Sequence, residues 1–334
     1  MTTPTPPFAA GPSAVLELTL RLKSRHVEAQ GVVAFDLIDP AGAALPPFEA
    51  GSHLLVECAP GVVRSYSLCN APSQRSAYLI GVLREPQSRG GSAAVHERWQ
   101  VGQTVRVSRP RNHFPLADGD GRVLLLAGGI GITPLLAMAE QLSAQGRPFE
   151  LHYGTRTAAH AAFGERLRRA PFANSVHIHH DDGPAEQAFN AAHVIGAPGA
   201  GDHLYACGPA GYLAHVMQTA EGLGWPAGQL HQELFQASGE LVVAGDAPFE
   251  IVVANRGVTV QVSAGETALQ ALTRAGVEVM WSCEQGVCGS CITAVVDGRP
   301  DHRDQYLTEA DRARNDCFTP CCSRSLTSRL VVEV

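Results

Sequence analysis

Nine residues constrain this chain more than any other stretch: Cys283 to Cys291, reading Cys-Glu-Gln-Gly-Val-Cys-Gly-Ser-Cys. The spacing is C-x4-C-x2-C, and three more cysteines follow at 317, 321 and 322. Three thiolates from so short a segment, joined by one from farther along, fit a [2Fe–2S] cluster. Each iron takes two thiolates, so the loop must turn sharply, and Gly286 and Gly289 supply the left-handed dihedrals. They also let backbone N–H groups approach the cluster sulfurs, a lever on reduction potential. Zinc sites use two separate cysteine pairs, each two to four residues apart. Cys317, Cys321 and Cys322 are all within reach as fourth ligand. Cys321, in Pro-Cys-Cys-Ser-Arg before the last apolar run (Arg329 to Val334), is favoured over Cys322, and Cys317 comes third.

A chain of 334 residues exceeds one ordinary core and suggests two or three domains. Its composition, 45% hydrophobic and 17% charged, is that of a globular protein. No apolar run is long enough to span a bilayer, so no membrane partner is expected. Met1 to Pro12 reads as a frayed tail and not an export signal. A net charge of −7 argues against nucleic acid. Of nine cysteines six lie beyond residue 280, a metal-site distribution and not a disulfide scaffold, and a cytoplasmic location follows.

Short alternating segments fill the first third: Val15–Lys23, Val32–Ile38, His53–Cys58, Arg64–Cys69, Ala77–Arg84 and Thr104–Ser108, with one helix at Ser92–Trp99. That pattern predicts an antiparallel six-stranded β-barrel. Within it, Arg64-Ser65-Tyr66-Ser67-Leu68 combines a cation, a flat ring and hydroxyls. On a strand, Arg64, Tyr66 and Leu68 point one way, Ser65 and Ser67 the other. Arg89-Gly90-Gly91-Ser92 leads into the helix, and a helix N-terminus behind glycines favours an anion. Together these motifs predict a flavin phosphate site with a stacking aromatic.

From Arg122 strands and helices alternate, predicting a doubly wound α/β parallel sheet. Val123–Ala127 is a fully apolar strand running into Gly128-Gly129-Ile130-Gly131-Ile132-Thr133-Pro134 and a helix to Gln145, with Thr133 placed to cap it. Further strands are predicted at Phe149–Gly154, Ser175–His180 and His203–Ala206, the last breaking at Cys207-Gly208-Pro209. Both glycine turns would lie at carboxyl ends of strands, where nucleotides bind. Asp182, after the third strand, suits a ribose hydroxyl and leans towards NADH, although Arg156 leans the other way. His177, His179 and His180 have the composition of metal ligands, but two alternate on a strand and no metal is expected there. His231-Gln232-Glu233-Leu234-Phe235 closes the region, with Phe235 either core or a lid over a planar ring.

In the last third, Phe249–Asn255 and Gly257–Ser263 form a hairpin around Asn255-Arg256-Gly257. A helix from Thr267 to Ala275, the cysteine loop, a strand at Cys291–Asp297, a short helix near Thr308–Arg314 and the closing strand complete a β-grasp ferredoxin arrangement.

In kind and order these motifs resemble the phthalate dioxygenase reductase family, which includes the reductase components of vanillate O-demethylases. The resemblance covers Leu16 to Val334. It implies a flavin barrel over residues 1–120, an NAD(H) domain over 121–236, a linker over 237–247 and a plant-type ferredoxin over 248–334. It further implies that Arg64, Ser67 and Ser92, with Ser65, Gly90 and Gly91 beside them, seat the FMN phosphate, that Tyr66 and Phe235 lie against the flavin, and that Gly128 to Pro134 and Cys207 to Pro209 place the nicotinamide. Cys283, Cys288, Cys291 and Cys321 would hold the cluster. The pair Cys321-Cys322 departs from the family, where Cys-Val is usual, and the preference for FMN over FAD rests on the resemblance.

Such a chain is expected to be an NADH-dependent oxidoreductase delivering electrons from FMN and [2Fe–2S] to a terminal Rieske-type oxygenase. Catalysis needs no acid–base side chain, because the cofactors relay the electrons. Rival readings are an FAD-type reductase serving a cytochrome P450 or diiron hydroxylase, and an iron–sulfur redox sensor. Trp281 and Glu284 flank the cluster loop as candidate partner contacts.

Overall fold

A computed structural model describes residues 16–86, 88, 90–235 and 245–334. The N-terminal tail, Arg89 and most of the expected linker lie outside the described residues. The chain divides into two units, one spanning Leu18–Leu234 and the other holding the residues from Phe235 onward.

Seven strands open the first unit: β1 (Leu18–Ala29), β2 (Val32–Ile38), β3 (Ser52–Ala59), β4 (Val62–Ser67), β5 (Tyr78–Leu83), β6 (Thr104–Val107) and β7 (Arg111–Asn112). Six run β4-β3-β6-β1-β2-β5, and β7 pairs with β3. A bridge between Leu68 and Ile80 joins the two ends, so the sheet closes into a barrel and leaves no long free edge. Alternation decides what fills it: Leu54, Val56 and Cys58 of β3 meet Phe35, Leu37, Tyr78 and Ile80 in one buried cluster. Helix α1 (Gly91–Arg98) is pinned at its far end where the Trp99 indole N–H donates to the Cys58 carbonyl at 3.2 Å. The first strand outruns its predicted limits because two irregularities in its pairing with β2 let it bend and continue to Ala29.

The parallel sheet contains β8 (Val123–Gly128), β9 (Phe149–Thr155), β10 (Val176–His180), β11 (His203–Cys207) and β12 (Leu230–Glu233), in the order β10-β9-β8-β11-β12. Helices α2 (Ile132–Gln145), α3 (Gly164–Arg169), α4 (Ala191–Ile195) and α5 (Ala210–Gly222) accompany it. Central strand β8 is buried throughout. Val123, Leu125 and Ala127 share a cluster with α2 and with barrel residues Val32, Ala34 and Leu79, while Leu124 and Leu126 meet Ile195, Leu213 and Val216. Barrel and sheet thus have core residues in common. Thr133 is not the cap: it lies inside the first turn of α2, Gly131 precedes the helix, and the Thr133 hydroxyl donates to the Ile130 carbonyl at 2.9 Å. The cause is the short 3-10 turn at Gly129–Gly131, which starts the helix two residues early.

In the second unit, β13 (Phe249–Val253) and β14 (Val258–Val262) form the predicted hairpin, and α6 (Ala268–Arg274) starts at a capping box of Thr267 and Gln270. Then come β15 (Thr293–Asp297), β16 (Pro300–Asp301), α7 (Glu309–Arg314), β17 (Cys317–Phe318), β18 (Arg324–Ser325) and β19 (Arg329–Glu333). The main sheet runs β14-β13-β19-β15-β17, with β19 parallel to β13 and antiparallel to β15. Arg324, 2% exposed, reaches the carbonyls of Glu266, Ser263 and Ala247 and lies 5.2 Å from the Phe249 ring, tying the chain before β19 to the hairpin. Among the described residues, no helix is long and apolar enough to cross a membrane.

Candidate functional site

The cysteine loop is built as its spacing requires. Glu284, Gly286 and Gly289 all have positive φ (55°, 71° and 67°), which coils the segment back on itself. No side chain fits at the glycines: a Cβ at 286 would lie 2.4 Å from the Cys322 sulfur, and one at 289 would lie 2.3 Å from the Tyr306 ring. The Cys283 sulfur accepts hydrogen bonds from Cys288 and Cys321, which hold it well below the ordinary thiol range, and the N–H groups of Gln285 and Val287 point at it. Cys321 contacts Cys283 and Cys291 in turn. Four sulfurs therefore converge, with backbone donors beside them, which is the chemistry a [2Fe–2S] cluster needs.

The adjacent thiol meets that group at Cys321 and has hydroxyl partners of its own. Cys322, also touching Cys321, has its sulfur 3.2 Å from the Thr319 hydroxyl and 3.8 Å from that of Ser323, over Gly286. Cys317 lies on edge strand β17, its thiol raised to about 11 by burial and Asp316. Cys58, Cys69 and Cys207 are buried among apolar neighbours, and burial raises all three thiols.

On the barrel, Arg64 lies along the start of α1. A Cβ on Gly91 would be 2.6 Å from the arginine Cγ and 3.0 Å from Nε, so guanidinium and helix N-terminus share one corner. Gly90, with φ of 88°, turns the chain into that helix, and its outer side is open. An anion is favoured there by the guanidinium charge and by the helix N-terminus alike. Ser92 serves the corner indirectly: its hydroxyl accepts from the Glu85 N–H at 3.1 Å and donates to Ser88. Ser65 is partly buried and projects from the opposite side of β4. The Tyr66 ring packs on the barrel cluster, with its hydroxyl 3.7 Å from the Cys58 sulfur.

Ser67 departs from the expected grouping. It is one of the residues facing away from Arg64, and its hydroxyl donates to Glu233 Oε2 at 3.5 Å instead of joining the phosphate corner. Glu233, the last residue of β12, also raises the thiol of Cys207 at the end of β11. Ser67, Cys207 and Glu233 thus meet where barrel and parallel sheet join, beside the two glycine turns. The motif alone gave this carboxylate no part in the site. The available signal was an acid at the end of the segment after Cys207-Gly208-Pro209.

Those turns interlock at the point where strand order reverses, between β8 and β11. A Cβ on Gly131 would sit 2.1 Å from the Cys207 carbonyl oxygen, and one on Gly208 would sit 3.0 Å from the Gly128 Cα. Gly129 alone of this group combines positive φ (53°) with open space around it, leaving backbone exposed to a ligand. Ile132, Thr133 and Pro134 are buried in the first turn of α2. Pro209 precedes α5, and both turns aim helix N-termini at the crevice. Asp182 is exposed beyond β10, its N–H bonded to the Arg156 carbonyl at 3.3 Å, so the two residues that argued for opposite nucleotides are neighbours. Phe235 is 37% exposed.

Burial pushes the Glu233 carboxyl from its usual 4.5 up to about 8, with the Ser67 hydroxyl pulling the other way. A group raised in the folded state holds its proton more tightly there, so stability present below about pH 4.5 is lost as pH rises through about 8. Glu233→Gln cannot ionise, so this loss should vanish and the variant should gain on the parent chain across that window. Denaturant unfolding of flavin-free protein from about pH 5 to 9 measures it.

Residues 251–326 match the family of 2Fe-2S iron-sulfur cluster binding domains. The chain is 49% identical over 313 residues to the vanillate O-demethylase oxidoreductase of Pseudomonas sp. (strain HR199 / DSM 7063), covering 94% of this chain and 98% of that one. It is similar to the solved phthalate dioxygenase reductase, described as a modular structure for electron transfer from pyridine nucleotides to [2Fe–2S]: 38% identity, TM-score 0.74, 97% of this chain and 100% of that one. An intact type IV self-sufficient cytochrome P450 monooxygenase matches at 36% identity and TM-score 0.85, over 99% of this chain but only 43% of that longer one. Barrel, parallel sheet and cysteine loop together define an iron–sulfur flavoprotein oxidoreductase. The chain belongs to the phthalate dioxygenase reductase family, whose members carry electrons from NADH through FMN to a [2Fe–2S] cluster.

Proposed function

We propose that this chain is the reductase component of a Rieske-type oxygenase system, drawing on NADH and supplying electrons one at a time to a separate terminal oxygenase. The observation that carries this reading is the convergence of Cys283, Cys288, Cys291 and Cys321 in a chain that also has a barrel phosphate corner and a nucleotide crevice. Kinship over nearly the full length with a vanillate O-demethylase oxidoreductase points to a demethylase or dioxygenase acting on a small aromatic acid.

Bound flavin and cluster supply the conversion of one hydride equivalent into two single electrons. The side chains bind and position. Arg64 and the start of α1 at Gly90 to Ser92 hold the FMN phosphate, with Tyr66 beside the ring system. Gly129 gives backbone access for the pyrophosphate, while Gly128, Gly131 and Gly208 fix the distance between the turns. Asp182 accepts from a ribose hydroxyl. Ser67, Cys207 and Glu233 set the polarity at the junction where nicotinamide and flavin meet, and Glu233 holds a proton there at neutral pH. Residues 1–120, 121–236 and 248–334 act as flavin, NAD and ferredoxin modules. The chain works in the cytoplasm, in solution.

Cys288→Ser tests the order of carriers. The variant should keep NADH–ferricyanide activity, which draws on the flavin, and lose cytochrome c reduction. Cytochrome c reduction at the parent rate would overturn the order. The likeness to a P450 monooxygenase gives the second client worth testing. Reconstitution should support turnover with a vanillate-type oxygenase and not with a P450, and the reverse result would reassign the partner.

A further inference from the structure

We propose that the outer edge of the parallel sheet carries a site for a divalent transition-metal ion, held by Glu150 and His152 of β9 and His177 of β10. In the parallel register His177 lies directly beside His152, and their rings stack at 4.6 Å and 20°. One ligand atom from each of the three residues lies within 4.8 Å of the others. Alternation puts Glu150 and His152 on the face opposite Leu151 and Tyr153, which belong to the core. Two imidazoles and one carboxylate are the ligand set that zinc and its neighbours take, with water completing the shell.

The hydrogen bonds around the cluster leave a gap of the right chemistry. His179 Nδ1 is 2.9 Å from the Gln187 carbonyl, and His179 Nε2 is 3.0 Å from His152 Nδ1. A carbonyl can only accept, so with neutral rings His179 donates to Gln187, and His152 donates from Nδ1 to His179. That leaves the lone pair of His152 Nε2 facing Glu150 Oε2 at 3.4 Å, two acceptors with no proton between them. His152 is only 7% exposed, and burial favours a neutral ring. A cation bridges these acceptors where they would otherwise repel. The outward bond from His152 to His179 is the kind of support that fixes a metal-binding imidazole. His177 is exposed and Glu150 half exposed, so an ion can enter from solvent. Bound there it would clip edge strand β10, paired on one side only, to β9.

The test uses the full chain with its cluster loaded, cleared of loosely held metal by a mild chelator and titrated with Co2+. One equivalent should bind and give weak d–d bands without thiolate charge transfer, which separates this site from any vacant cysteines. Thermal unfolding of the flavin- and NAD-binding unit should rise with it. His177→Ala and Glu150→Gln should abolish binding, and His179→Ala should weaken it about 10–100-fold. His193→Ala, an exposed histidine of α4, should change nothing. His152 is a core residue, so the two more exposed ligands carry the test, with flavin and cluster absorbance confirming that each variant is folded. No Co2+ uptake at equimolar concentration, or uptake undiminished in His177→Ala, overturns the proposal.

Discussion

Cys321→Ser should lose the cluster, falling from about two irons per chain to near none, while Cys322→Ser should keep it. The two sulfurs are one residue apart in sequence but face different surroundings. Cys321 meets Cys283 and Cys291, whereas Cys322 is directed to Thr319 and Ser323 and fills the space over Gly286. For Cys322 to substitute, its sulfur would have to leave those hydroxyls, and the backbone between Pro320 and Ser323 would have to rotate. Iron and acid-labile sulfide per chain, with the electron spin resonance signal of the reduced protein, decide the matter. A chain that keeps its cluster without Cys321 and loses it without Cys322 would reverse the assignment.

The second large effect belongs to Gly131→Ala. Its new methyl would lie 2.1 Å from the Cys207 carbonyl oxygen and 2.7 Å from the Gly208 nitrogen, both backbone atoms that cannot swing aside. The two turns at the switch point must therefore separate. A misplacement of about 1 Å at a reacting centre can cost about 10²-fold in rate. NADH–ferricyanide turnover should fall by about that factor, with the cluster spectrum unchanged. Gly129→Ala is the control: it meets open space, and its cost is the left-handed backbone, roughly 1–2 kcal/mol. Steady-state kcat/KM for NADH in the two variants separates steric displacement from backbone strain. Equal losses would mean that the interlock does not set the rate.

What could be seen in the sequence followed from local chemistry. Alternating strands, the apolar run at Val123, the glycine turns and the cysteine spacing each depend on residues a few positions apart, and all appear where expected. Strands β7 and β12 were missed because Arg111–Asn112 is too short to alternate and Leu-His-Gln-Glu is largely polar; both exist because a neighbouring strand offers them a ladder. The grouping of Ser67 with Glu233 spans 166 residues and rests on how barrel and sheet share a core, which no window of sequence contains. The histidines of β10 read as structural when taken alone, and the metal proposal for His177 draws on Glu150 and His152 of the adjacent strand, which the β10 segment does not contain. Thr133 misled for a simpler reason: a 3-10 turn shifts the helix start, and that shift depends on the close packing of Gly131 against Cys207.

Strand β19 lies in the middle of the ferredoxin sheet, flanked by β13 and β15, although it follows both in the chain. During synthesis, then, the hairpin, the first helix and all six cysteines of this region leave the ribosome before the strand that joins the sheet's two halves. Until residues 329 to 333 have emerged, nothing holds those halves together around the four thiols, so iron and sulfide are expected to enter only after that strand has been made.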